Sequence, residues 1–133
     1  MVDSYAWIEL FIGGESSKRA EEYIEMSGEV YTPDIVLAKV ARKYLREGFN
    51  KNLISKRLKT ISESSRIAPI NPEIALGSAE CYVEFLNKAK NEKLKDPSLF
   101  DATVLAVTKH LKAKGLTGDE HFKNLPETLW LKS

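Results

Sequence analysis
The amino-acid sequence predicts an α/β fold: a three-layer α/β/α sandwich with a mostly parallel central sheet, formed as one domain over residues 1–133. Two observations carry this expectation. Short apolar runs alternate along the chain with amphipathic segments, the order that gives parallel strands joined by helical crossovers. A chain of 133 residues, 43% hydrophobic and 29% charged, also suits a single hydrophobic core rather than a fibrous or disordered polymer.

After a very short apolar start at Met1-Val2, Tyr5 to Ile12 reads as a helix stopped by Gly13-Gly14. Residues 15–27 form a second helix with Ala20, Tyr23, Ile24 and Met26 on its packing side. Gly28 is placed to end it in a left-handed cap, where a missing Cβ costs nothing. Glu29-Val30-Tyr31 is a short strand. Thr32 then reads as an N-cap with Pro33 at the first helical position, where no N–H is needed.

The helix from Pro33 places Val36, Leu37, Val40, Ala41, Tyr44 and Leu45 on one buried stripe and closes at Gly48. Lys51 to Ser62 is amphipathic through Leu53, Ile54, Leu58 and Ile61. Arg66 to Ile70 is a strand in which Pro69 marks an end or an edge. Asn71-Pro72 repeats the cap-then-proline device and opens a long helix to about Leu94. Asp96-Pro97-Ser98 breaks it, and the next helix, Leu99 to about Ala113, buries Phe100, Val104, Leu105, Val107 and Leu111. Gly115-Leu116-Thr117-Gly118 turns into a brief strand, and Thr128 to Leu131 is the last. The chain shows no internal repeat, low-complexity tract or linker.

Composition excludes several chemistries. Cys81 is alone, so neither an intrachain disulfide nor a cysteine-held zinc is available. His110 and His121 are too few for a histidine-rich metal site. Met1-Val2-Asp3-Ser4 lacks a basic leader, and no run approaches the roughly 18 apolar residues of a membrane span. A cytoplasmic address is the expectation. Gly-rich phosphate loops, CxxC, HExxH and nucleophile-elbow patterns are absent. Charge is unevenly spread: residues 1–30 hold seven acids against Lys18 and Arg19, whereas residues 31–60 hold eight bases against Asp34 and Glu47. The second stretch either presents a positive surface to a polyanion or simply solvates two helices.

Carboxylates at element boundaries remain. Asp3 follows the first apolar residues, Asp101 lies in the first turn of a helix, and Asp119 leaves a strand. Ligands of open parallel sheets bind beyond the strand carboxyl ends, where these three can converge. Converging carboxylates repel unless a cation neutralises them, and oxygen ligands suit magnesium or manganese. Each also has a plainer reading: Asp3 as cap of the helix from Ser4, Asp101 as the third-residue member of a Ser98–Asp101 capping box, Asp119 as cap of the Glu120-His121-Phe122 turn. Spacing alone does not choose between them.

Four stretches together resemble the PIN-domain proteins, especially toxin ribonucleases of the VapC type. They are Val2-Asp3-Ser4, Tyr31 to Val40, Leu99-Phe100-Asp101-Ala102, and Leu116-Thr117-Gly118-Asp119-Glu120-His121-Phe122. They fall in family order over nearly the whole chain. The resemblance implies a three-layer fold and an acidic cluster holding Mg2+ or Mn2+ for hydrolysis of RNA phosphodiester bonds. It implies a homodimer and an antitoxin protein as partners, and no membrane. It makes Asp3, Asp101 and Asp119 the metal-binding acids, with Ser4 and Thr117 as neighbouring hydroxyls and Glu120 beside the cluster.

One departure stands out. The family pattern has a glutamate where this chain has Lys39. An ammonium inside the cluster adds repulsion to a cation and removes an oxygen ligand. Three outcomes are open: a weakened ribonuclease, a lysine whose stem carries its charge away to solvent, or a catalytically inactive RNA-binding or regulatory relative in which Lys39 replaces the metal.

Overall fold
A computed structural model describes residues 1–132. The helices are α1 (Ser4–Ile12), α2 (Ser17–Met26), α3 (Asp34–Arg46), α4 (Lys51–Ser64), α5 (Pro72–Glu92) and α6 (Leu99–His110). The strands are β1 (Tyr31–Pro33), β2 (Arg66–Ala68), β3 (Gly115–Thr117) and β4 (Thr128–Trp130), with a 3-10 turn at Glu120–Phe122. Among the described residues, no helix is long and apolar enough to cross a membrane.

The strands form two parallel pairs. Thr32 faces Ile67 in the β1–β2 ladder, and Leu116 faces Leu129 in the β3–β4 ladder. Residues Met1 to Asp3 join them: Val2 donates its N–H to the Tyr31 carbonyl (2.8 Å) and bridges Leu116 in parallel, while Leu116 donates to the Met1 carbonyl (2.9 Å). The spatial order is therefore β2, β1, the Met1–Asp3 segment, β3, β4. Helices pack in two groups, α1 against α2 and α3 with α3 against α4, and α5 against α6. This is the expected α/β arrangement of parallel strands with helical crossovers.

Several local expectations are corrected. Thr32 does not cap α3; it lies in β1, accepts the Trp7 indole N–H (3.1 Å) and shares a hydrogen bond with the Ser65 hydroxyl (2.8 Å). Pairing with β2 draws Thr32 and Pro33 into the ladder, so α3 begins one residue later, without a side-chain cap. Gly28 is not left-handed, because α2 ends at Ser27 in extended conformation; Gly13 (φ 66°) and Gly48 (φ 89°) are the glycines that need that region. Met26 and Leu45 are exposed rather than packed. Helix α6 stops at His110, short of Ala113, with Lys112 in a left-handed turn. The strand from Arg66 ends at Ala68, just before Pro69, as that proline requires.

The core centres on α6, whose residues from Asp101 through Thr108 are all buried, a wider face than one apolar stripe. Thr103 and Thr108 tolerate this because their hydroxyls bond back to the carbonyls of Leu99 and Val104 (both 2.8 Å). Phe85, Ile61, Val36, Val40 and Phe122 belong to the same core and are almost fully buried. Asp101, buried in the first turn of α6, thereby comes close to Asp119 just beyond β3.

Candidate metal centre
Each of the three aspartates caps a local element, and the cap aims its carboxylate. Asp3 Oδ1 accepts the Ala6 N–H at the start of α1 (3.2 Å). Asp101 Oδ2 accepts the Ser98 N–H (3.4 Å) while Ser98 Oγ accepts the Asp101 N–H (3.0 Å), a reciprocal capping box. Asp119 Oδ1 accepts the His121 N–H (2.9 Å) at the 3-10 turn. Capping consumes one oxygen of each carboxylate. The plain readings of these residues are therefore all observed, and they leave a second oxygen on each for other contacts.

Those second oxygens meet different partners. Thr117, fully buried at the end of β3, donates its hydroxyl to Asp3 Oδ2 (2.5 Å) and accepts the Asp119 N–H (3.0 Å). One threonine thus locks Asp3 to the turn that carries Asp119. Lys39 reaches in from α3: its Nζ lies 3.8 Å from Asp101 Oδ1 and 4.0 Å from the centre of the Phe100 ring. An ammonium held between a carboxylate and an aromatic face is stabilised by both. The lysine stem does not carry the charge away from the acids.

The ligand atoms of Asp101, Asp119 and His121 all lie within 4.8 Å of one another. Asp3 is outside this triplet and joins it through Thr117. Burial raises the Asp3 carboxyl pKa to about 7, and the charge of Asp119 adds to the rise; the bonds from Thr117 and Ala6 and the charge of Lys39 oppose it. Ser4 is buried at the head of α1 beside Asp3, and Glu120 points to solvent.

Sequence reasoning missed three contributors. His121 lies two residues beyond Asp119, in a turn whose own cap brings it back. Lys88 of α5 donates to the carbonyls of His121 (2.9 Å) and Lys123 (2.6 Å), fixing both ends of that turn. Phe100 supplies the face under Lys39. Only the Asp119-to-His121 spacing was visible as a signal. A cleft of about 420 Å³ opens beside the centre, and its lining includes Asp3, Ser4, Lys39, Asp119, Arg42 and Arg46.

The PIN domain family matches residues 1–127 of the sequence. The chain belongs to the PIN domain family. Solved structures with the same fold include a toxin–antitoxin complex from Klebsiella pneumoniae, at 22% identity and a TM-score of 0.74, covering 99% of this chain and 97% of that one. Another is VapC20 of Mycobacterium tuberculosis, a sarcin-ricin loop cleaving toxin, at 19% identity and 0.65, covering 91% and 90%. VapBC2 from Rickettsia felis, bound to a DNA fragment from its promoter, is similar at 14% identity and 0.70, covering 98% and 95%. No curated protein matches the chain in sequence. In this PIN domain the acids stand beyond the carboxyl ends of parallel strands, where open α/β sheets bind ligands.

Proposed function
We propose that this PIN domain is a divalent-metal ribonuclease, the toxin of a toxin–antitoxin pair, that hydrolyses RNA phosphodiester bonds in the cytoplasm. The observation that carries the reading is the approach of Asp101 and Asp119, from α6 and the turn after β3, to within 4.8 Å of each other and of His121. Two carboxylates at that separation, with an imidazole beside them, form a donor set that fits a hard or borderline divalent cation. Asp101 and Asp119 would hold Mg2+ or Mn2+, with Asp3 set behind them by Thr117 and Ser4 beside it. When bound, such an ion supplies an acidified water and offsets charge on the phosphate oxygens.

The chain's own residues do the rest. Arg42 and Arg46 line the same cleft and attract the phosphate backbone electrostatically. The three caps and Thr117 hold the acids without rearrangement as substrate arrives. The toxin–antitoxin neighbours support an antitoxin protein as partner. Leu76 and Val83, exposed on α5, offer apolar surface for a homodimer contact.

Purified protein should cleave RNA only with Mg2+ or Mn2+ added, and Asp101→Asn or Asp119→Asn should bring cleavage to background with the circular dichroism spectrum unchanged. Cleavage that survives both substitutions rejects the assignment. A second reading is favoured by Lys39, whose ammonium stands 3.8 Å from Asp101: an inactive relative that binds RNA. In the same assay it gives no cleavage at saturating Mn2+, and RNA binding that weakens with added salt, because releasing counterions into a saltier solution gains less free energy.

A further inference from the structure
Resting on the metal reading above, we infer that His121 is a direct nitrogen ligand of the cation, so that this centre favours first-row transition ions over magnesium. One of its imidazole nitrogens lies within 4.8 Å of one carboxylate oxygen of Asp101 and one of Asp119. Ligand atoms on one small divalent ion stand about 3 to 4 Å apart, so modest side-chain rotation closes the set.

The ring is prepared for this role. His121 is 6% exposed, and its ring packs against Phe85 at 6.1 Å between centres. Its N–H is held by Asp119 and its carbonyl by Lys88. Both bonds use main-chain atoms, which leaves the imidazole nitrogens to a ligand. A side chain already immobilised loses little entropy on coordination.

Charge explains why a neutral donor matters here. Lys39 brings a cation, not an oxygen ligand, to the α3 side of the acids. The ammonium beside Asp101 opposes a purely electrostatic ion such as Mg2+ as strongly as any other dication. It opposes less the covalent share of a metal–nitrogen bond, which transition ions form and magnesium does not.

Mn2+ bound to the tag-free chain gives the test, by pulsed electron paramagnetic resonance. Directly bound imidazole nitrogen gives a 14N modulation of the Mn2+ echo. The modulation should be present in the wild type, persist in His110→Gln, which changes the only other histidine, and vanish in His121→Gln. Co2+ affinity should fall about tenfold or more in His121→Gln, with Mg2+ affinity nearly unchanged. Mn2+ that binds in an Asp101-dependent way without 14N modulation overturns the role of His121 and leaves the carboxylate site standing. No Mn2+ binding at all overturns both. Modulation lost in His110→Gln instead moves the ligand elsewhere and also overturns the inference.

Discussion

At Asp3, burial works against the hydrogen bonds from Thr117 and Ala6, and burial prevails. Its carboxyl is raised from 3.8 to about 7 by burial first and the Asp119 charge second. Between those values the folded protein binds a proton that the unfolded chain has released, so metal-free stability falls as pH climbs from about 4 to about 7. The full penalty, on the order of 4 kcal/mol at about 1.4 kcal/mol per unit, is present above that range. Thermal melts in chelator should show this decline, flattened in Asp3→Asn; parallel pH profiles for the two proteins would refute it. Lys39 acts beside it. One unit charge at about 4 Å is worth about 4 kcal/mol at an effective dielectric of 20, several times what a tenfold change in affinity requires. Lys39→Glu should therefore tighten Mn2+ by about tenfold or more in a calorimetric titration, and equal affinities would put this side chain outside the site. The aspartates were legible in the sequence because helix starts leave a pattern within four residues. The partners of Lys88 and Phe100 were not, because Lys88 meets the Asp119 turn and Phe100 meets Lys39 across more than thirty residues. His121 shares a turn with Asp119, but its approach to Asp101 spans twenty residues.

Among the elements, α5 does more than cover a face. Phe85 and Lys88, one turn apart, support the ring and the main chain of the Asp119–Lys123 turn respectively. Lys88→Met removes two hydrogen bonds to carbonyls, about 1 kcal/mol each. It should lower the melting temperature by a few degrees, whereas Mn2+ affinity should fall about tenfold or more, as outer-shell losses do. A fall in stability with unchanged Mn2+ binding would make the lysine a scaffold contact alone. Helices were the legible elements: α3, α4 and α5 carry their apolar stripes and, for α4 and α5, asparagine caps at Asn50 and Asn71. Strands of three residues were less so. Thr32-Pro33 has the local form of a helix start, and only its ladder partner, Ile67-Ala68, makes it a strand.

For the molecule as a whole, net charge of +1 conceals a divided surface. The count of bases in residues 31–60 overstates that surface, however. Lys39 is paired with Asp101, Lys43 with Glu47 and Lys59 with Glu63, while Arg57 lies over the rings of Phe11 and Tyr44. Arg42 and Arg46 carry the charge that faces the cleft. The fold class was legible because alternating helices and short strands permit few arrangements. The strand order was not, since the segment at Met1 to Asp3 inserts between strands that follow it by about thirty and about a hundred and fifteen residues.

That insertion has a consequence in time. Val2 waits for Leu116, and Asp3 waits for Thr117, so this segment finds its neighbours only after more than a hundred further residues have been made. Such long-range closures are slow to form. A half-translated polypeptide has Asp3 and Lys39 but neither Asp101 nor Asp119. A fragment that stops before residue 101 thus lacks two of the three aspartates that capping and Thr117 bring toward one end of the strands.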